Sequence, residues 1–143
     1  MDKKITDLVK ELATQRNTEQ AQKEKERSAE GDRQRLEKLT WFQPVLDVVG
    51  TLALDDSINN RMWIFTRNYA GDPYINARIA ARCRYSKERR KFVLSANGQK
   101  GIVTVEIYEN GYSHDKLLET RYMPVADACA LLIDRAADMI RGG

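Results

Sequence analysis

From Ile75 to Tyr85 the chain alternates without interruption. Ile75, Ala77, Ile79, Ala81, Cys83 and Tyr85 fall on one side, and Asn76, Arg78, Ala80, Arg82 and Arg84 on the other. Successive side chains of a strand point to opposite faces, so this period of two predicts a strand with one buried face. Its neighbours extend the pattern. "RMWIFTRNY" from Arg61 is rich in aromatic and β-branched residues and is closed by the turn chemistry of "AGDP". "SKER" turns the alternating strand into "KFVLSA", and Asn97-Gly98 in "NGQKG" is a hairpin signal. "IVTVEIYE" and "KLLETRYM" then form a further pair around "NGYSHD", where Gly111 and Asp115 fit a loop. Five antiparallel strands in sequence form a meander, and its apolar face must be covered.

Two helices are predicted to cover it. Pro124 opens the last one, in which Val125, Cys129, Leu132, Ile133, Ala136 and Ile140 form a stripe. Asp127 in its first turn and Arg141 near its end suit the helix dipole, and Gly142 is placed as its stop. Upstream, Val45, Val48, Val49 and Leu52 have helical spacing, with Pro44 placed in the first turn of a helix running to about Asp55. Ala77 and Ala81 are small enough for a helix to approach the sheet closely. Near the N-terminus, Ile5, Leu8, Val9 and Leu12 follow the i, i+3, i+4, i+7 rule, which predicts an amphipathic helix over residues 3–13. From Thr14 to Arg35 the stripe stops, leaving six basic and five acidic residues and no large aliphatic side chain. That segment reads as a solvated, helix-prone linker broken at Gly31, and it cannot supply a coiled-coil seam. The fold class is therefore α+β, an antiparallel meander of about five strands packed on a C-terminal amphipathic helix. Residues 1–35 are read as a helical arm and charged linker, and 36–143 as the α+β domain.

Composition narrows the chemistry. Residues 1–60 hold ten Lys+Arg against twelve Asp+Glu, while 61–143 hold fourteen against nine, so the net charge of +3 arises in the C-terminal part. "MDKKITDLVKEL" has no uninterrupted apolar core of a signal peptide, and no apolar run reaches membrane-spanning length. Two cysteines, Cys83 and Cys129, both at apolar-face positions, fit a reduced, cytoplasmic chain with buried thiols. The single histidine, His114, adjoins Asp115 in a loop, but neither a nucleophile nor a pocket accompanies it. One histidine and two distant cysteines do not make a zinc site, and "NGQKG" lacks the strand-loop-helix context of a phosphate loop. Glu106 and Glu119 could face one another across the last two strands, but Arg121 stands close enough to neutralise such a pair. No cofactor, metal or catalytic constellation is expected.

What remains is "RIAARCRYSKERRKFV" at 78–93, with seven basic residues in its first fourteen positions against Glu88 alone. With Ile75 to Tyr85 turned inward, Arg78, Arg82 and Arg84 project from the other face, and Lys87, Arg89, Arg90 and Lys91 continue the field through the turn. Charges repeating every two strand residues, about 6.6–7 Å, match the spacing of a single-strand phosphate backbone. Tyr74, Tyr108 and Tyr112 are placed on or near that face as stacking platforms, with Tyr85 and Phe92 assigned to the core. Over about residues 74–141 the order of strands followed by a C-terminal amphipathic helix resembles that of the whirly and transcriptional-coactivator type single-strand binders, which dimerise through that helix and grip nucleic acid across the sheet. The resemblance is one of element order and carries no residue roles. The expectation is a small non-catalytic protein that binds single-stranded DNA or RNA through the basic strand and turn. The competing one is a protein-interaction adaptor or inhibitor whose N-terminal helix docks on a partner and whose basic face meets an acidic protein surface. Apolar area on the 36–58 segment and the last helix further predicts a homodimer, with the Cys129 face as its contact.

Overall fold

The computed structural model describes residues 2–82, 90–109 and 115–142. Helix α1 runs from Asp2 to Leu54 and a short helix α2 from Asp56 to Asn59. Strands β1 (Met62–Arg67), β2 (Asn76–Ala81), β3 (Arg90–Ser95), β4 (Ile102–Glu109) and β5 (Lys116–Pro124) follow, and α3 (Val125–Gly142) ends the chain. The sheet has the order β1-β2-β3-β4-β5 with every neighbouring pair antiparallel, so the fold is an α+β meander as the alternation predicts. Register follows burial. Met62 opposes Ala81, Ile79 opposes Phe92, and Phe92 opposes Ile107, which puts the large apolar side chains of four strands on one face.

Helices α1 and α3 cover that face. From α1 come Phe42, Val45 and Val49, and from α3 Ala128, Leu132, Ala136 and Met139, all buried together with Ile75, Ala77, Phe92, Leu94, Val103 and Val105. The α3 stripe is rotated by about one position from the predicted one. Met139 is fully buried whereas Ile133 stays 57% exposed. Cys129 is only half-buried against the core, and that burial raises its thiol pKa above the ordinary value. The stripe is thus used mainly inside the molecule, with Ile133 and part of Cys129 left at the surface.

The N-terminal half departs from expectation. Instead of a short helix, a linker and a new helix at Pro44, α1 is continuous over 53 residues, about 80 Å at 1.5 Å per residue. Gln, Glu, Lys, Arg and Ala dominate the middle of it, and these are good helix formers even where no stripe exists. Arg33 adds ion pairs to Glu30 and, at 2.5 Å, to Glu37 one turn away. Pro44 lies inside the helix on its exposed side, where the Thr40 carbonyl left without an N–H partner can be hydrated. Gly31 is not a break. It is buried because the β1–β2 loop sits on it: a Cβ there would lie 2.0 Å from the Gly71 carbonyl oxygen.

Around that contact the loop is clasped to the helix. Asp32 Oδ1 accepts from the Gly71 N–H at 3.0 Å, Arg35 Nη1 donates to Asn68 Oδ1 at 2.9 Å, and Lys38 Nζ donates to the Pro73 carbonyl at 2.9 Å. The loop is itself held by Arg67, whose guanidinium reaches Asp72 Oδ2 at 2.6 Å. Every described side chain from Lys3 to Glu30 is exposed, so the engaged part of α1 begins at about Gly31.

Candidate functional site

The register that gives one face of the sheet to the helices leaves the other without a helix, although Asn76, Ala80, Val93 and Ser95 at its centre are buried. Trp63, Phe65 and Arg67 of β1 lie opposite Ala80, Arg78 and Asn76 of β2, and these in turn lie opposite Lys91, Val93 and Ser95 of β3. Thr104, Glu106 and Tyr108 continue the outer face on β4, with Thr120 and Tyr122 on β5. Both helices pack on the opposite side, and this face is exposed chiefly at its two edges, at Trp63 and Phe65 on β1 and at Tyr122 on β5.

Aromatic rings dominate it. Trp63 (46% exposed) and Phe65 (60% exposed) stack on one another, with ring centroids 6.4 Å apart and planes inclined by 15°. The Arg82 guanidinium lies 4.0 Å over the Trp63 ring, and its Nε donates to the carbonyls of Asn59 at 3.0 Å and Met62 at 2.9 Å. Arg82 is therefore both a cation on the ring and a brace for the start of β1. A groove of about 530 Å³ runs beside the stack, lined by Trp63, Phe65, Arg67, Tyr69, Arg78 and Lys91. That size falls within the range that accepts a small ligand or a base.

The charge on this face is smaller than the number of basic residues suggests. Arg67 is paired with Asp72, and Lys91 with Asp115. Tyr108 donates its hydroxyl to Glu106 Oε2 at 2.6 Å while Lys91 lies 5.3 Å over its ring. That hydrogen bond is the main reason its phenol ionises above the ordinary range. Arg78 is half-buried between Phe65 and Val93, and among the described residues it forms no ion pair. Arg78 and Arg82 are thus the cations of the face without a carboxylate partner among the described residues.

Of the residues predicted to form the site, Arg78, Arg82, Lys91 and Tyr108 share this face. Tyr74 stands at its rim, 54% exposed, with the Arg67 guanidinium 5.4 Å from its ring centroid. Arg90 does not belong to it. It has the parity of Phe92, opposes Glu109, and acts on Glu119 from the helix side of the sheet. Arg84, Lys87, Arg89 and Tyr112 lie outside the described residues, as do Cys83, Tyr85 and His114. Glu106 and Glu119 do not face one another: Glu106 opposes Thr120 on the outer face and Ile107 opposes Glu119 on the inner one. Glu119 is paired with Arg121 at 2.6 Å, which holds its carboxyl below the ordinary value.

Trp63 and Phe65 were missed by sequence reasoning. The alternation of "MWIFTR" separates Met62, Ile64 and Thr66 from Trp63, Phe65 and Arg67, yet both sets are largely apolar, so hydrophobicity does not say which face is wet. Among the described residues no group of three or more His, Cys, Asp or Glu side chains is placed to hold a metal, and no helix is long and apolar enough to cross a membrane. Comparison with known proteins finds no match: no family model, no curated protein and no solved structure is similar to this chain.

Proposed function

We propose that the protein is a non-catalytic, cytoplasmic binder of single-stranded nucleic acid that acts as a homodimer. The observation that carries the reading is the uncovered aromatic pair Trp63 and Phe65 with Arg78 and Arg82 on the same sheet face. Solvating a sheet needs only polar side chains. A Trp-Phe pair left about half in water forgoes roughly 1 kcal/mol of burial per ring, and contiguous exposed apolar patches mark binding surfaces. Bases stack on exposed rings with about 1–3 kcal/mol each, largely without regard to sequence. The groove receives a base beside the stack, and Arg78 and Arg82 meet the flanking phosphates.

Stacking outweighs charge in this reading, because two of the four cations are already neutralised. The slope of log affinity against log salt is then shallow, about −1.4 for two phosphate contacts on a single strand. The test is a gel-shift series with single-stranded DNA, single-stranded RNA and duplex DNA at two salt concentrations, on the full chain and on Trp63→Ala. Single-strand binding with a shallow slope, lost in the variant, supports the proposal. Equal binding of wild type and variant removes the face from consideration.

A second reading has its own support. The exposed stripe Ile5, Leu8, Val9 and Leu12 on the projecting end of α1 suits an adaptor or inhibitor docking on a protein partner. An acidic protein retained by the full chain and lost with Leu8→Asp/Leu12→Asp, with no oligonucleotide shift, favours that reading over the first.

A further inference from the structure

Strand β5 forms one edge of the sheet and is exposed along its nine residues except at Met123. Its outward backbone groups have no neighbouring strand among the described residues. Exposed edges invite pairing, and proteins commonly blunt them with charges turned toward the covered face. Glu119 and Arg121 stand on that inner face, opposite Ile107 and Val105. Here, however, the charges are of opposite sign and two residues apart, and they flank Thr120. Beyond them come Tyr122 (69% exposed) on the other face and Leu118 (45% exposed) at a β-bulge, where the register with β4 shifts so that Leu117 opposes Tyr108.

A twofold axis perpendicular to a sheet joins two edges antiparallel while keeping each face on its own side, so it must be centred on a residue. Centred on Glu119 or on Arg121 it opposes like charges, which is destabilising. Centred on Thr120 it opposes Glu119 to the partner's Arg121 and Thr120 to itself, and it brings the partner's Tyr122 to the bulge at Leu118. Opposite charges, an aliphatic-aromatic pair and a Thr-Thr pair are favourable cross-strand combinations. The segment "LETRY" is complementary to its own reverse in that register alone.

We propose that β5 pairs with β5 of a second copy about Thr120, joining two five-stranded sheets into one of ten strands with a continuous outer face. The proposal rests on the reading that two copies associate and is independent of nucleic-acid binding. The twofold places the partner's outer face beside this one, with β1 and its aromatic pair at the two far edges of the ten-stranded sheet.

Charge swapping tests it without ligand. Masses of the full chain are measured by sedimentation at tens of micromolar for wild type, Glu119→Arg, Arg121→Glu, the equimolar mixture of these two, and the double variant. The wild type is expected to be a dimer. Each single variant makes both charge contacts repulsive, so its association weakens by about tenfold or more. The mixture is expected to form heterodimers and the double variant to dimerise again, because both arrangements restore opposite signs. A monomeric wild type, single variants that dimerise as the wild type does, or a mixture that stays monomeric each overturns the proposal. Hydrogen exchange on the wild type gives a check that depends on no variant: β5 amides must gain protection with rising protein concentration, and their failure to do so also overturns it. A single variant that becomes monomeric yet still shifts single-stranded oligonucleotide separates this interface from the binding face.

Discussion

Gly31 and Gly71 meet where a helix and a loop approach too closely for a side chain on either. Replacing a helical glycine by alanine ordinarily stabilises by up to about 1 kcal/mol. In this helix the sign is expected to reverse, because the new Cβ would press within 2.0 Å of the Gly71 carbonyl oxygen, and backbone cannot give way as a flexible side chain can. Gly31→Ala should cost about 1–3 kcal/mol in urea unfolding, whereas a gain would show that the loop is not seated on the helix. Gly71→Ala is opposed twice over, by a φ of +79° and by Ser28 Oγ at 2.9 Å. Asp32 adds a pH dependence to the same contact. The Gly71 N–H, and after it Arg35, hold its carboxyl below the ordinary 3.8. A depressed carboxylate contributes stability that is present above its unfolded pKa and is lost as pH falls through the folded one. The stability difference between wild type and Asp32→Asn should therefore be constant above about pH 5 and shrink as the pH drops below 3.8. A difference that is flat down to the acid limit would mean that the hydrogen bond to Gly71 contributes nothing.

Helix α1 has two parts with different roles. Lys3 to Arg27 projects into solvent, whereas Ser28 to Leu54 forms the seat of the β1–β2 loop and one wall of the core. Deleting residues 1–27 is expected to leave the urea midpoint of the remaining domain nearly unchanged. Deletion through Arg35 also removes Gly31, Asp32 and Arg35 and should lower it clearly. Equal midpoints for the two truncations would contradict the clasp. Much of this organisation was legible in the sequence. The strict alternation around Ile79 defined β2, Asn97-Gly98 defined the β3–β4 hairpin, and the α3 stripe needed only a rotation that buries Met139 in place of Ile133. The continuity of α1 was not legible, because glycine and proline are read as breakers wherever their tertiary surroundings are unknown. Gly31 is required by a loop some forty residues away, and Pro44 is tolerated because its side of the helix meets water. The candidate site was half legible. Arg78 and Arg82 followed from parity, but Trp63 and Phe65 lie on a strand with two apolar faces, and only its pairing with β2 shows which is exposed.

The whole molecule is a one-sided device: two helices take one face of a meander, and the other is left open with aromatic rings and a few cations. Its net charge of +3 is modest, and its open face holds two cations with no carboxylate partner among the described residues, so polyanion attraction alone would bind weakly and release readily in salt. The stacked pair must therefore supply most of any affinity. Replacing Arg78 by glutamine is expected to flatten the salt slope by about 0.7 and to leave measurable binding at low salt; complete loss of binding would assign the affinity to charge instead. The central claim is tested most directly through Trp63 itself. In a Trp41→Phe background, Trp63 is the sole tryptophan, and titration with a single-stranded oligonucleotide reports its stacking by fluorescence quenching. Saturable quenching is expected, with Phe65→Ala weakening the affinity by about 1–3 kcal/mol. Unchanged Trp63 fluorescence in the presence of oligonucleotide that gel shift shows to be bound, or no binding at all at low salt, would contradict the account.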